Sequence, residues 1–211
     1  MNWVGSLSND SLREITALIV VIAGPSGVGK DVLIERMDEI GQIGFHFTVT
    51  ATTRQPRPDE TDGINHLFFS DNEFQNLIAT DELLEWAFVY GNYYGVPKKQ
   101  VQEALSNGNH VIIRVDVQGA KRVRELIPDA LLLFIIPPSI DVLRKHLKLR
   151  GVNSEPEMNK RLAAAAEEIS QSDAFDYVVT NEENHLDETV KRVVEIIEYE
   201  SSRMPPRKTI I

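Results

Sequence analysis

Four short segments of this chain bring together residue types that can hold phosphate and read a polar ligand. The first, Gly24-Pro25-Ser26-Gly27-Val28-Gly29-Lys30, has the spacing G-x-x-x-x-G-K. Glycines let backbone N–H groups converge on phosphate oxygens. A helix opening behind them adds the positive end of its dipole, and Lys30 adds a mobile charge. The expected ligand is a nucleoside triphosphate. The residue after the lysine is usually Ser or Thr, whose hydroxyl reaches Mg²⁺; here it is Asp31.

The second segment is Thr50-Ala51-Thr52-Thr53-Arg54-Gln55-Pro56-Arg57-Pro58. Two guanidinium groups on a proline-stiffened stretch suit bidentate phosphate binding; taken alone, the stretch equally reads as a solvated basic loop. The third sets Glu85 beside Trp86, followed by Gly91-Asn92-Tyr93-Tyr94-Gly95. It offers an acceptor and phenol donors to a polar ligand, or a buried aromatic cluster in a strand–turn unit. The fourth, Val111-Ile112-Ile113-Arg114-Val115-Asp116, is a strand ending in an acidic residue, which in a P-loop protein can approach Mg²⁺.

These segments need elements to position them. Apolar runs predict strands over Leu18–Ala23, Val111–Val115, Leu131–Ile136 and Tyr177–Val179. Helical periodicity predicts helices over Asp31–Ile40, Lys98–Ser106, Gln118–Ile127, Ile140–Leu149, Glu157–Gln171 and Leu186–Ser202. Such alternation implies an α/β fold, a parallel sheet with helices on both faces. Phe45–Pro97 breaks the alternation and reads as an inserted mixed α/β subdomain. Arg150–Pro156 reads as a mobile lid segment, and Arg203–Ile211 as an extended surface arm.

Composition bounds the partners. With 211 residues the chain suits one domain carrying insertions. No apolar run is long enough for a membrane span, and residues 1–14 lack the pattern of a signal peptide. Cysteine is absent, which excludes disulfides and thiolate metal sites and fits a cytoplasmic location. A net charge of −10 argues against a general nucleic-acid binder, so the arginines that remain gain interest. No obligate protein partner is evident.

In this order the segments resemble the guanylate kinase family over roughly Ala17 to Ile197. The carrying motifs are Gly24–Lys30, Thr52-Thr53-Arg54-x-Pro56-Arg57-Pro58, Glu85-Trp86, Gly91–Gly95 and Asp116-Val117-Gln118-Gly119. The resemblance implies a P-loop core over 16–47, 98–145 and 160–202, a nucleoside-monophosphate-binding subdomain over 48–97 and a helical lid over 146–159. It implies transfer of the γ-phosphoryl group of ATP to GMP, with Mg²⁺ accompanying ATP and dGMP as a further candidate acceptor. ATP would be held by Gly24, Pro25, Ser26, Gly27, Val28, Gly29, Lys30 and Asp31, with Asn181 along the adenine. Arg54, Arg57, His66 and Tyr94 would grip the GMP phosphate. Glu85 would accept from the guanine N1–H and amine, Thr50 (usually Ser) would donate to O6, and Asp116 would lie beside GMP. Asp31 and Asp116 would face the metal through water. Lys30, Arg54, Arg150 and Arg161 would stabilise the transferring phosphoryl.

The chain departs from that family at Asp31, at His66 (usually Tyr), at Val96 (usually Ser or Thr), at Arg114 (usually Asp or Glu) and at His146 (usually Arg). Asp31 and Arg114 are opposite in sign and lie on elements expected to be neighbours. One reading is that the two compensate, as an ion pair or with Asp31 replacing the missing hydroxyl at Mg²⁺ through water, because a lone Asp31 would repel ATP phosphates; the other is that Asp31 simply caps the helix and Arg114 faces solvent or GMP. Two alternatives stand beside the main reading. A related kinase acting on ribose 1,5-bisphosphate shares the Asp after the loop lysine, and a guanylate-kinase-like interaction module shares the fold.

Overall fold

The structure is a computed structural model that describes residues 16–41, 44–58, 60–89, 91–149, 151 and 154–208. Its first strand, β1 (Ile19–Ala23), is wholly buried because each face of it meets a different half of the core. Ile19, Val21 and Ala23 point into one apolar cluster. Leu18, Val20 and Ile22 point into another. A strand covered on both sides must read as a continuous apolar run, as this one does.

The chain then passes through the glycine-rich loop into α1 (Lys30–Glu39) and the edge strand β2 (Phe45–Phe47). Next come β3 (Ala51–Thr52), β4 (Leu67–Phe68), α2 (Asp71–Ala79), β5 (Leu83–Val89) and β6 (Asn92–Pro97). The chain returns through α3 (Lys98–Ser106), β7 (His110–Arg114), α4 (Val117–Leu126) and β8 (Leu131–Ile136). It continues with α5 (Ile140–Leu149), α6 (Glu155–Ile169), β9 (Tyr177–Thr180) and α7 (Leu186–Ser201).

Two sheets result. The larger is parallel, in the order β2-β7-β1-β8-β9. Residues from α3 and α4, among them Val101, Val117 and Val123, cover one face of it. Residues from α1 and α7, among them Leu33, Met37, Val193 and Ile197, cover the other. The smaller sheet is mixed, in the order β4-β3-β6-β5. Its own core is Ala51, Phe74 and Leu83, with Phe74 stacked on Tyr93. Helices α5 and α6 share a third apolar cluster of Leu143, Leu147, Met158, Leu162 and Ala165.

Within the inserted segment, α2 starts with a reciprocal cap. Ser70 Oγ accepts from the Glu73 amide while the Glu73 carboxylate accepts from the Ser70 amide. Helix α6 begins two residues before its expected start, capped by Ser154 with Pro156 in its first turn. The arm after α7 is held more firmly than a surface tail. Arg207 Nε donates to Glu200 Oε2 at 2.7 Å, both side chains are buried, and Glu200 Oε1 accepts from the Tyr177 hydroxyl at 2.6 Å. No helix among the described residues is long and apolar enough to cross a membrane.

Candidate active site

The glycine-rich loop leaves the carboxyl end of β1, where open α/β sheets place their ligands. Two glycines there are required by contact as well as by backbone. Gly24 has φ +144°, and a Cβ on it would lie 2.2 Å from the Ile135 carbonyl oxygen. Gly29 has φ +97°, and its Cβ would meet Asn181 Nδ2 at 2.6 Å. Pro25 and Val28 are buried and seat the loop, while Ser26 is exposed. The seat is also hydrogen-bonded: Asn181 Nδ2 donates to the Val28 carbonyl at 2.8 Å. His146 Nδ1 lies 3.1 Å from the Gly27 carbonyl, which requires the proton on that nitrogen. Asn181 and His146 thus brace the loop from β9 and α5. Lys30 opens α1, and its ammonium folds over the loop to donate to the carbonyls of Gly24 at 2.6 Å and Pro25 at 3.2 Å. No side chain caps this helix, so its N-terminal amides present the dipole to the loop.

Of the two readings of Asp31, in the first turn of α1, and Arg114, at the end of β7, the structure has the direct ion pair. Arg114 Nη1 lies 2.7 Å from Asp31 Oδ1. Asp116 caps α4, its Oδ1 accepting from the Gly119 amide at 2.8 Å. Among the described residues no group of three or more His, Cys, Asp or Glu converges as a metal site. That donor set fits a magnesium ion arriving on nucleotide phosphates, the usual habit of a hard octahedral cation that keeps its waters.

The arginine pair follows β3. Arg54 makes a bidentate pair with Glu60, Nη1 to Oε2 and Nη2 to Oε1, both at 2.8 Å. The Arg57 amide donates to Glu60 Oε2 at 2.8 Å, and its guanidinium stands 3.8 Å from Oε1. Hydrogen bonding from Arg54 holds the Glu60 carboxyl down at about 2, so it stays ionised. The Arg54 guanidinium also lies over the Phe68 ring at 5.8 Å, with Tyr94 within its electrostatic reach. His66 joins this group, its Nδ1 3.3 Å from the Thr50 carbonyl and its ring 6.4 Å from that of Tyr94. Burial, then the charges of Arg114 and Arg54, lower its affinity for a proton.

The smaller sheet brings Thr50 and Glu85 together by register. Glu85 is paired with Val96 across β5–β6, and Ala51 with Gly95 across β3–β6. Extending the second register by one residue sets Thr50 against Val96 from the other side. Residues opposite one another in antiparallel strands share a face, as do i and i+2, so Thr50, Glu85 and Tyr94 project together. Thr50 and Glu85 are each 5% exposed, and neither Thr50 Oγ1 nor Glu85 Oε2 has a hydrogen-bond partner among the described residues. Burial, with a contribution from the Asp116 charge, pushes the Glu85 carboxyl up to about 7. Val96, between them, is fully buried in the core against Val101 and Val111.

Arg161 lies on α6 and donates to Glu157 of its own helix at 3.2 and 2.9 Å. Arg150 lies outside the described residues, as do 152 and 153 of the expected lid segment. Two acidic residues belong to this region without having drawn notice in the sequence. Glu60 clamps the arginine pair, and the only hint is its place within a stiff Pro/Asp segment. Glu168 of α6 stands within electrostatic reach of Lys30 and Asp116, and burial raises its carboxyl; in the sequence it reads as one of a pair of solvated helix glutamates.

Comparison with known proteins places these features in company. The family model described as guanylate kinase matches residues 16–200. The guanylate kinase of Gloeobacter violaceus is 47% identical over 164 residues, covering 78% of this chain and 80% of that one. That of Latilactobacillus sakei is 41% identical over 188 residues, covering 89% and 92%. The crystal structure of guanylate kinase from Anaplasma phagocytophilum superimposes with a TM-score of 0.74 at 30% identity, covering 90% and 88%.

Proposed function

The chain belongs to the guanylate kinase family and transfers the γ-phosphoryl group of ATP to GMP, giving ADP and GDP; we propose how its residues divide that work. Gly24 to Lys30 hold the ATP phosphates, with Asn181 toward the adenine. Arg54, Arg57, His66 and Tyr94 grip the GMP phosphate, Glu60 setting the two arginines in place beforehand. Thr50 and Glu85 read the guanine, with Asp116 beside it. Arg150 of the lid and Arg161, just beyond it on α6, close over the transferring group with the lid. Lys30 and Arg54 bear most of the developing charge, since phosphoryl transfer is positioning and electrostatics with no nucleophilic side chain. When bound with ATP, Mg²⁺ would neutralise charge on the phosphates; Asp116 is the carboxylate that would hold its waters, while Asp31 is engaged by Arg114 at 2.7 Å. The working parts under this reading are the core (16–47, 98–145, 160–202), the monophosphate-binding part (48–97) and the lid (146–159), acting in the cytoplasm on free nucleotides.

One observation carries the base assignment: a carboxylate oxygen and a hydroxyl, both buried, both without partners, on one face of one sheet. Orphaned buried polar atoms cost free energy unless a ligand completes them. Guanine offers two N–H donors to a carboxylate and O6 to a hydroxyl. Adenine sets its acceptor N1 against the carboxylate, which can only accept, so that Glu85 is left unpaired, while the Thr50 hydroxyl has to reverse from donor to acceptor. The test is a coupled assay of ADP release with GMP, dGMP, AMP, UMP and ribose 1,5-bisphosphate. The guanine nucleotides should turn over and the others should not. Turnover of ribose 1,5-bisphosphate at the GMP rate would overturn the base-reading assignment.

A further inference from the structure

We propose that Arg114 is a catalytic cation of this kinase, held by Asp31 so that its guanidinium meets the phosphoryl group passing from ATP to GMP. The proposal rests on the phosphotransferase reading above and adds a residue to it.

The position comes from topology. Arg114 ends β7, and its register partner in β1 is Ile22, one residue before that strand runs out toward the glycine-rich loop. It therefore stands at the carboxyl edge of the sheet, beside the loop that cradles the polyphosphate. The orientation comes from Asp31, 2.7 Å away and the neighbour of Lys30 in the first turn of α1. Proximity to the other substrate comes from His66. The charges of Arg114 and Arg54 both reach that imidazole, which touches the strand segment carrying Thr50. Arg114 thus neighbours the loop for the donor phosphates, and its charge acts on a member of the proposed grip for the acceptor phosphate.

The chemistry fits the place. A guanidinium has five N–H donors in a fixed fork, so one edge can hold a carboxylate while another meets a phosphoryl oxygen. Its side chain is 25% exposed, open enough to be reached and covered enough for its charge to act in reduced dielectric. Asp31 alone would repel the phosphates; paired, it orients a cation toward them. In the transfer, the bond from the γ-phosphorus to the β-bridging oxygen breaks, and its electron pair leaves with ADP. A new bond forms from an oxygen of the GMP phosphate to that phosphorus. Negative charge shifts through the three oxygens of the group in flight, where Arg114 is placed to receive it.

The test is steady-state kinetics of Arg114→Gln, Asp31→Asn and the double variant, with GMP and ATP binding measured separately by calorimetry. Arg114→Gln should lose about 10²- to 10³-fold in kcat, the scale for removing one preorganised donor, with both KM values little changed. Asp31→Asn should lose less, and the double variant should be no slower than Arg114→Gln, because Asp31 acts through Arg114. If Arg114→Gln fails to bind either nucleotide, Arg114→Lys carries the test. It keeps the charge without the fork and should still lose about tenfold or more in kcat at unchanged KM. A kcat within about threefold of the parent, or a loss confined to KM, would overturn the role of Arg114. Independent, multiplying losses from the two single substitutions would overturn the positioning role of Asp31. Absence of GMP turnover by the unsubstituted protein would instead strike the reading beneath.

Discussion

At the scale of single residues, Glu85 and Thr50 break the rule that buried polar atoms find partners within the fold. Under the proposed reading Glu85 has to be ionised to accept from two guanine N–H groups, yet burial pushes its carboxyl up to about 7. Below that pH it is protonated and loses half of its accepting capacity. The kcat/KM for GMP should therefore rise with pH through about 7 and level off above it. Glu85→Gln should flatten that limb of the profile. A pH profile at saturating ATP checks this, and a rise centred near the ordinary carboxylate range would count against it. Arg54 makes a second prediction. Arg54→Ala removes a charge-assisted phosphate contact and leaves Glu60 without its bidentate partner. The loss in kcat/KM for GMP should be roughly 2–4 kcal/mol, with the KM for ATP nearly unchanged. Parallel initial-rate measurements against each substrate separate the two.

At the scale of elements, the parallel sheet is joined at its start by one imidazole. His110, on β7, accepts a hydrogen bond on Nδ1 from the Leu18 amide at 3.0 Å, and burial lowers its affinity for a proton. A group that resists protonation when folded binds protons more readily when unfolded. Its stability contribution is full above the unfolded pKa of about 6.5 and is lost as pH falls below it. His110→Asn keeps an acceptor without a titration. Urea unfolding from neutral pH down to about pH 5.5 should show the parent losing more stability than this variant; equal losses would assign the acid sensitivity to other groups. The sheet itself is legible from the sequence, because burial on both faces writes β1 and β8 as unbroken apolar runs. The Asp31–Arg114 pair is legible for a related reason, as strand alternation and the loop–helix join place both at one sheet edge. Helix α2 is less visible, since Ser70-x-x-Glu73 announces it inside a stretch that otherwise reads as irregular. Glu60 and Arg207 are illegible: each matters through a partner brought near by folding, and isolated acidic or basic letters look the same whether clamped or solvated.

At the scale of the whole molecule, a chain of net charge −10 has to gather cations locally to hold two anionic substrates. It does so by setting each cation beside acceptors of its own. Lys30 rests on loop carbonyls, Arg54 on Glu60 and Arg161 on Glu157. Helices α5 and α6 share an apolar cluster of their own, and the proposed lid role has them close over the site, because water has to be kept from the phosphoryl group in transit. Small-angle scattering should show the radius of gyration falling when GMP and a non-hydrolysable ATP analogue bind together; an unchanged radius would speak against closure. The central claim, that a buried carboxylate makes this a guanine-specific kinase, is tested most directly by the ratio of kcat/KM for GMP to that for AMP. The measurement compares the parent with Glu85→Gln, with inosine monophosphate, which keeps N1–H but lacks the amine, as an intermediate substrate. The parent should prefer GMP over inosine monophosphate over AMP, and the GMP-to-AMP ratio should collapse in Glu85→Gln. A ratio unchanged by the substitution would contradict the claim.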